Sequence, residues 1–315
     1  MMRSSIQIVC TADDAYIQHC TVMLASLFES NKDEQFNIYI ITNIENTANL
    51  QILKTFLEYY SYPYSIITID QEIIKNAPVT HHISLATYFR LFIPKVLPPE
   101  LARVLFLDAD MVIRKSIRPL WETDLDGYTH AATIAAGMDD YPAEIGLPQN
   151  SFYFNAGMML INLQAWRKHR VFERGCDLIS HEAGRLKWWD QDALNLLLHN
   201  SWYPLDLTWN AQPFVYSDSL SAEYSYWDRY QKFDYLEAKT DPAVVHFVGG
   251  GNAKPWHYFC THPFKQDYLN YLKLTPWHKT PLLGTPNLAA RLRFKLRLGS
   301  KVQHLLSSFQ KVINS

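Results

Sequence analysis

Apolar and polar positions along the first third of the chain alternate between two periods. IQIVC (6–10), FNIYIIT (36–42), YSIITI (64–69) and ARVLFLD (102–108) are short apolar runs that predict strands. Between them, YIQHCTVMLASLFES (16–30) and NLQILKTFLEYY (49–60) carry apolar residues at helical spacing. HHISLATYFRLFIPKVL (81–97) reads as a helix as far as Pro94, where proline interrupts the ladder. Further on, FYFNAGMMLINLQAW (152–166) is an apolar run that turns helical near its end. WWDQDALNLLLHN (188–200) reads as a helix with an acidic start, and AVVHFVGGG (243–251) as a late strand running into glycines. Strands alternating with such helices predict an open, mainly parallel α/β sheet, where ligands bind beyond the carboxyl ends of the strands. TADDAY (11–16) and the aspartates of DAD (108–110) both lie at such ends, and one shared site is expected there.

Composition bounds this picture without changing it. With 48% hydrophobic and 19% charged residues the chain is globular, and 315 residues suffice for a large core. Pro276, Pro281, Gly284 and Pro286 punctuate a boundary, so a domain over 1–283 and a tail over 284–315 are expected. A net charge of −2 gives no reason to expect nucleic acid or another polyanion as partner. The charge is unevenly spread: after Asp267 there is no acidic residue, while Lys273, Lys279, Arg291, Arg293, Lys295, Arg297, Lys301 and Lys311 all follow. The four cysteines are scattered without a C-x-x-C pair, which argues against a metal cluster or a disulfide framework. There is no apolar signal region at the amino terminus and no run near ~20 apolar residues, so a cytoplasmic protein is expected.

The candidate chemistry starts with Asp108 and Asp110. Residues i and i+2 of a strand point to one side, so the two carboxylates converge and repel unless a positive group lies between them. Three readings are open: a solvated strand-end turn, a divalent metal on hard oxygen ligands bridging to a diphosphate, or a phosphatase of the haloacid-dehalogenase type. The phosphatase calls for Thr or Ser soon after the pair, whereas Met111, Val112 and Ile113 follow. His246, at a late strand end, reads alone as a core histidine. The glycines at 249–251 and Lys254 after it add backbone N–H groups and a point charge suited to phosphate. Two carboxylates and an imidazole form a mixed oxygen and nitrogen set that suits Mn²⁺, with Mg²⁺ the alternative.

Six segments in order resemble glycosyltransferase family 8, the retaining sugar-nucleotide transferases. They are VCTADDAY (9–16), HHISLATYFRLFIP (81–94), LFLDADMVIRKSIRPLW (105–121), FNAGMMLINLQAW (154–166), WWDQDALN (188–195) and HFVGGGNAKPW (246–256). Within the family the resemblance is to bacterial lipopolysaccharide α-galactosyl- and α-glucosyltransferases. It implies a GT-A catalytic domain, a UDP-sugar donor, a saccharide or glycolipid acceptor, and a metal held by Asp108, Asp110 and His246. It places Thr11, Ala12, Asp13 and Tyr16 at the uridine, and His82, Arg90 and Ala109 near the donor. Gly249 and Lys254 fall at the diphosphate, and Asn155, Asp190 and Gln191 beside the sugar as the catalytic set.

Three departures stand out. Ala15 replaces a polar residue, the stretch after His246 has two extra residues, and the family's aspartate before the NAG segment falls on Asp139 or Asp140 or is replaced by Ala135. Gln191 is an amide and a poor nucleophile, and the resemblance assigns Asp190 to sugar hydroxyls, so front-face attack is the expected route to retention. On its own, DQD also reads as an N-capped helix start. The tail has apolar residues at helical spacing from Leu298 to Ile313 among its basic ones. It is expected to lie on the anionic inner face of a membrane, the alternative being a helix docked on its own domain.

Overall fold

Two-residue alternation along each strand sends side chains to both faces of a sheet that helices cover. The structure is a computed structural model and describes residues 4–45, 47–70, 85–138, 140–149, 151–182, 184–216 and 232–286. The first elements are β1 (Ile6–Thr11), α1 (Ile17–Ser30), β2 (Phe36–Thr42), α2 (Ala48–Tyr60) and β3 (Tyr64–Thr68). Next come α3 (Ile93–Val96), β4 (Arg103–Leu107), β5 (Met111–Ile113), α4 (Arg118–Trp121), β6 (His130–Ala132) and α5 (Tyr141–Glu144). Then follow β7 (Met158–Asn162), α6 (Leu163–Lys168), α7 (Val171–Glu182), α8 (Trp189–Leu198) and β8 (Trp202–Pro204). The series closes with α9 (Lys232–Thr240), β9 (Val244–His246) and α10 (Lys265–Leu272).

The main sheet has seven strands in the order β3-β2-β1-β4-β7-β6-β8. β1 runs parallel to β2 and β4, and β2 to β3, as the strand–helix alternation predicts. β7 is antiparallel to both β4 and β6, while β8 is parallel to β6. The sheet is therefore mainly parallel in its first half and mixed in its second. β5 and β9 pair antiparallel as a separate ribbon. β5, β6 and β8, three residues each, are too short to carry a period of their own and escape sequence reading, whereas β9 lies in the apolar run that precedes the glycines.

Val9, Val104 and Phe106 face a core shared with α6, α7 and α8, while Ile8, Cys10, Leu105 and Leu107 face one shared with α1 and α2. Adjacent residues of one strand thus feed opposite cores. Thr47 caps α2, its Oγ1 accepting the Leu50 N–H at 3.2 Å. The expected helix ending at Pro94 is corrected: Leu85–Phe92 form a 3-10 helix, and Pro94 lies in the first turn of α3. A first-turn N–H has no intrahelical acceptor, so proline is tolerated there. Among the described residues no helix is long and apolar enough to cross a membrane. Most of the tail, 287–315, and His82 and Asp139 lie outside the described residues.

Candidate active site

Sheet register brings the three candidate ligands together. Because β7 runs against β4, the end of one meets the start of the other: Leu107 pairs with Met158, and the Asp108 N–H donates to the Gly157 carbonyl at 2.8 Å. β5 follows at once and pairs with β9, setting Met111 opposite His246. His246 Nε2 then lies 3.2 Å from Asp110 Oδ1 and 3.8 Å from Asp108 Oδ2. One ligand atom from each of the three residues falls within 4.8 Å of the others.

A chain of amides settles how the imidazole is presented. The Gly157 N–H can only donate, so the Asn155 atom facing it at 3.0 Å is the carbonyl Oδ1. Asn210 Nδ2 donates to the same oxygen at 3.0 Å, which turns Asn210 Oδ1 towards His246 Nδ1 at 2.9 Å. Nδ1 therefore carries a hydrogen, and Nε2 is the nitrogen that faces the two carboxylates. Two carboxylates and an imidazole nitrogen aimed at one point fit a divalent metal with mixed oxygen and nitrogen ligands. Gly157 lets these side chains close in: a Cβ there would collide with His246 Cε1 and stand 2.7 Å from Asp108 Oδ2 and 3.0 Å from Asn155 Oδ1.

Charge around the cluster is compensated at close range. Lys254 donates to Asp110 Oδ2 and, at 2.8 Å, to the Phe247 carbonyl. Burial would raise the Asp110 carboxyl, but Lys254 and His246 hold it far below the usual carboxylate range. Arg90 is committed on three sides, to Asp108 Oδ1 at 3.0 Å, Asp190 Oδ2 at 2.8 Å and the Ala156 carbonyl at 2.7 Å. Burial pushes the Asp190 carboxyl up to about 7, against the pull of Arg90. Asp108 is also raised by burial, with Arg90 opposing.

In front of this cluster lies a cavity of about 370 Å³. Asp108, Asp110, His246, Asn155, Gln191 and Arg90 form a polar wall, and Ala135, Met138, Phe214 and Trp188 an apolar one. Gly249, in a left-handed conformation at φ 106°, also lines it. Asp190 does not line the cavity and lies buried beside Arg90. Ala135 lines the cavity, and Asp140 is exposed and does not.

Thr11, Ala12, Asp13 and Tyr16 do not line this cavity, and of the four it is Tyr16 whose ring lies within electrostatic reach of Lys254. Thr11 and Ala12 are buried at the end of β1, and Ala12 donates its N–H to the Ile41 carbonyl at 3.1 Å. Asp13 Oδ1 accepts the Tyr16 N–H at 3.0 Å, and the Tyr16 ring meets Trp256 edge-on at 5.9 Å. Ala109 is buried between the two aspartates, and Ala15 is exposed. Sequence reasoning missed Gly157 and Asn210. Gly157 closes the quoted NAG segment and could have been found there, whereas Asn210 sits in a stretch without periodicity.

Comparison with known proteins follows the same lines. A family model described as glycosyl transferase family 8 matches residues 7–260. General stress protein A of Bacillus subtilis is 31% identical over 285 residues, covering 89% of this chain and 96% of that protein. A lipopolysaccharide 1,3-galactosyltransferase of Salmonella typhimurium is 27% identical over 308 residues, covering 96% of this chain and 87% of that protein. A lipopolysaccharide 1,2-glucosyltransferase of Escherichia coli is 27% identical over 274 residues, 85% and 78% of the respective chains. The crystal structure of galactosyltransferase LgtC with donor and acceptor sugar analogues is similar at a TM-score of 0.76 and 27% identity, covering 90% of this chain and 98% of that one. The GT-A architecture expected from the sequence is the one observed.

Proposed function

The chain belongs to glycosyl transferase family 8, and from that premise we propose that it is a retaining transferase moving glucose or galactose from a UDP-sugar to a saccharide acceptor in lipopolysaccharide or related surface-glycan synthesis. The observation that carries this reading is the convergence of Asp108, Asp110 and His246 Nε2 on a sugar-sized cavity. Two relatives named for lipopolysaccharide glucosyl and galactosyl transfer support the substrate class.

Asp108, Asp110 and His246 would hold Mn²⁺, or Mg²⁺ in its place. When bound, such an ion supplies Lewis-acid neutralisation of a diphosphate leaving group. Lys254 adds a preorganised positive charge on the same side, and the backbone at Gly249 approaches the donor without a side chain. Thr11, Ala12, Asp13 and Tyr16 hold the uridine, Ala109 packs beneath the donor, and Arg90 keeps Asp108 and Asp190 apart. His82 belongs to the donor site by resemblance alone. Asn155 and the Gln191 amide line the sugar, and Asp190 acts through Arg90.

The acceptor hydroxyl attacks the anomeric carbon from the face that UDP leaves. The carbon–oxygen bond to UDP breaks as the new glycosidic bond forms, and the hydroxyl proton passes to the departing phosphate oxygen. A covalent glycosyl–Asp190 adduct in intact mass spectra would overturn that route. The basic, half-apolar tail carries the enzyme to an anionic membrane where a glycolipid acceptor lies.

The test is UDP release from UDP-glucose and from UDP-galactose, each with Mn²⁺ or with chelator. Metal-dependent release from one donor establishes the transferase and names its sugar. Release of inorganic phosphate from a phosphomonoester such as p-nitrophenyl phosphate, with no UDP formed from either donor, would instead identify a phosphatase.

A further inference from the structure

Gln191 faces the cavity, and the groups that hold it there lie behind it. Its Oε1 accepts the Ala156 N–H at 2.9 Å, and its Nε2 donates to the Tyr153 hydroxyl oxygen at 3.2 Å. A backbone N–H only donates, which fixes the oxygen end of the amide. The Tyr153 proton is committed elsewhere, donated to Asp192 Oδ1, so its oxygen has only lone pairs to offer Gln191. Turning the amide over would set its NH₂ against the Ala156 N–H and its carbonyl against the phenol oxygen. Both contacts would be repulsive.

The far end of this chain is Asp192, fully buried and absent from the cavity wall. Besides Tyr153, it receives the Tyr141 hydroxyl at 2.7 Å and the Trp188 N–H at 2.8 Å, both on Oδ2. Burial first, then this carboxylate, pushes both phenols well above their ordinary range, so both remain donors. The turn that Asp192 closes is strained: Trp189 has φ 33°, a conformation L-residues rarely adopt. Strain of this kind persists where surrounding contacts over-determine it. Asn195 adds to the clamp, its side chain bonding both the N–H and the carbonyl of Phe154 at 2.8 and 2.9 Å.

We propose that Asp192 is a positioning residue for the sugar site, acting through Tyr153 to lock the orientation of the Gln191 amide and through Trp188 to hold the start of α8. The inference rests on the transferase reading above for its kinetic consequence, and on the geometry alone for its structural one. A fixed amide presents the same polar edge to each donor sugar, whereas a free one must be ordered at every turnover.

The decisive variant is Tyr153→Phe, which removes one oxygen and leaves the ring packed on Tyr141. It should lower kcat by about 10- to 100-fold while the donor KM and UDP affinity stay within about twofold. In ¹⁵N-labelled full-length protein, the Gln191 side-chain NH₂ resonances, assigned by their loss in Gln191→Glu, should shift and exchange faster with water. Asp192→Asn should act in the same direction, because one amide cannot satisfy three donors. If that variant misfolds, Tyr153→Phe still decides. Unchanged Gln191 resonances in Tyr153→Phe would overturn the proposal, as would a kcat loss matched by an equal loss of UDP affinity and melting temperature. A wild-type protein that turns over neither UDP-sugar would sink the transferase reading instead, and the resonances would then judge the positioning on their own.

Discussion

The two halves of the sheet are held together differently. From β1 to β4 the buried polar groups tie helices to the elements packed on them: Thr21 Oγ1 donates to the Ile17 carbonyl within its own helix, while Ser26 Oγ accepts the Ile113 N–H at 2.9 Å and Asn31 Oδ1 the Ile117 N–H at 2.8 Å. Between β5 and β9 side-chain amides join one another and the site. Asn195 pairs with Phe154, Asn210 joins Asn155 to His246, and Gln212 Nε2 donates to the Ile134 carbonyl at 2.9 Å. Side-chain amides there do what ladder hydrogen bonds do in the first half. Apolar burial tolerates small errors, but a buried polar group left without its partner costs about 1–3 kcal/mol. The amides around the site are thus sensitive to the loss of single polar atoms.

The largest test of that contrast is at the seam. Asp110→Ala should reduce metal-dependent UDP release on the order of 10³-fold, because it removes a metal ligand and strands Lys254 in a buried position. Release within tenfold of wild type would move the chemistry elsewhere. Next, Asn210→Ala should weaken Mn²⁺ binding about 10- to 100-fold, as loss of a histidine's outer hydrogen bond generally does. Asn37→Ala, whose amide bonds Gln7 Oε1 across β1 and β2 at 3.1 Å, should leave it unchanged. Titration calorimetry on both variants would show whether the asymmetry between halves is real.

A smaller effect is expected from acid. His130, buried on β6 against Phe154 and Trp202, is lowered from the ordinary 6.5 to about 3 by burial. The unfolded chain takes up that proton near 6.5 and the native protein only near 3. Stability is therefore full above 6.5 and falls as pH drops through this window. In urea titrations between pH 7 and 4, His130→Gln should fall less steeply, by up to about 1.4 kcal/mol per pH unit. An identical slope would mean that His130 does not carry the effect. The smallest catalytic change should come from ending the chain at residue 286: UDP release should stay within about twofold, while sedimentation with anionic liposomes is lost. Retained liposome binding would remove the tail from the membrane proposal.

Legibility followed the same division. β1 to β4, α1 and α2 were readable because each buries a face through periodic apolar residues, and periodicity survives in one dimension. Asp108, Asp110 and His246 were readable as chemistry because hard carboxylates at a strand end and a histidine before glycines are costly to place without a purpose. The Pro94 reading erred because a proline that ends one helix fits equally in the first turn of the next. Asn210 and Tyr153 left no trace beyond their identities, and Asp192 was legible only as part of an acidic helix start. An asparagine in a loop is ordinary until the chain delivers it to an imidazole.

By itself, then, the order of residues determined the parallel half of the sheet, its two cores and the chemical character of the site, since each depends on local pattern and residue type. Tertiary structure alone decided which nitrogen of His246 faces the carboxylates, which way the Gln191 amide points and that Asp190 stands behind Arg90. Those outcomes depend on hydrogen-bond direction between segments far apart in the chain, and direction exists only once the donors and acceptors have met.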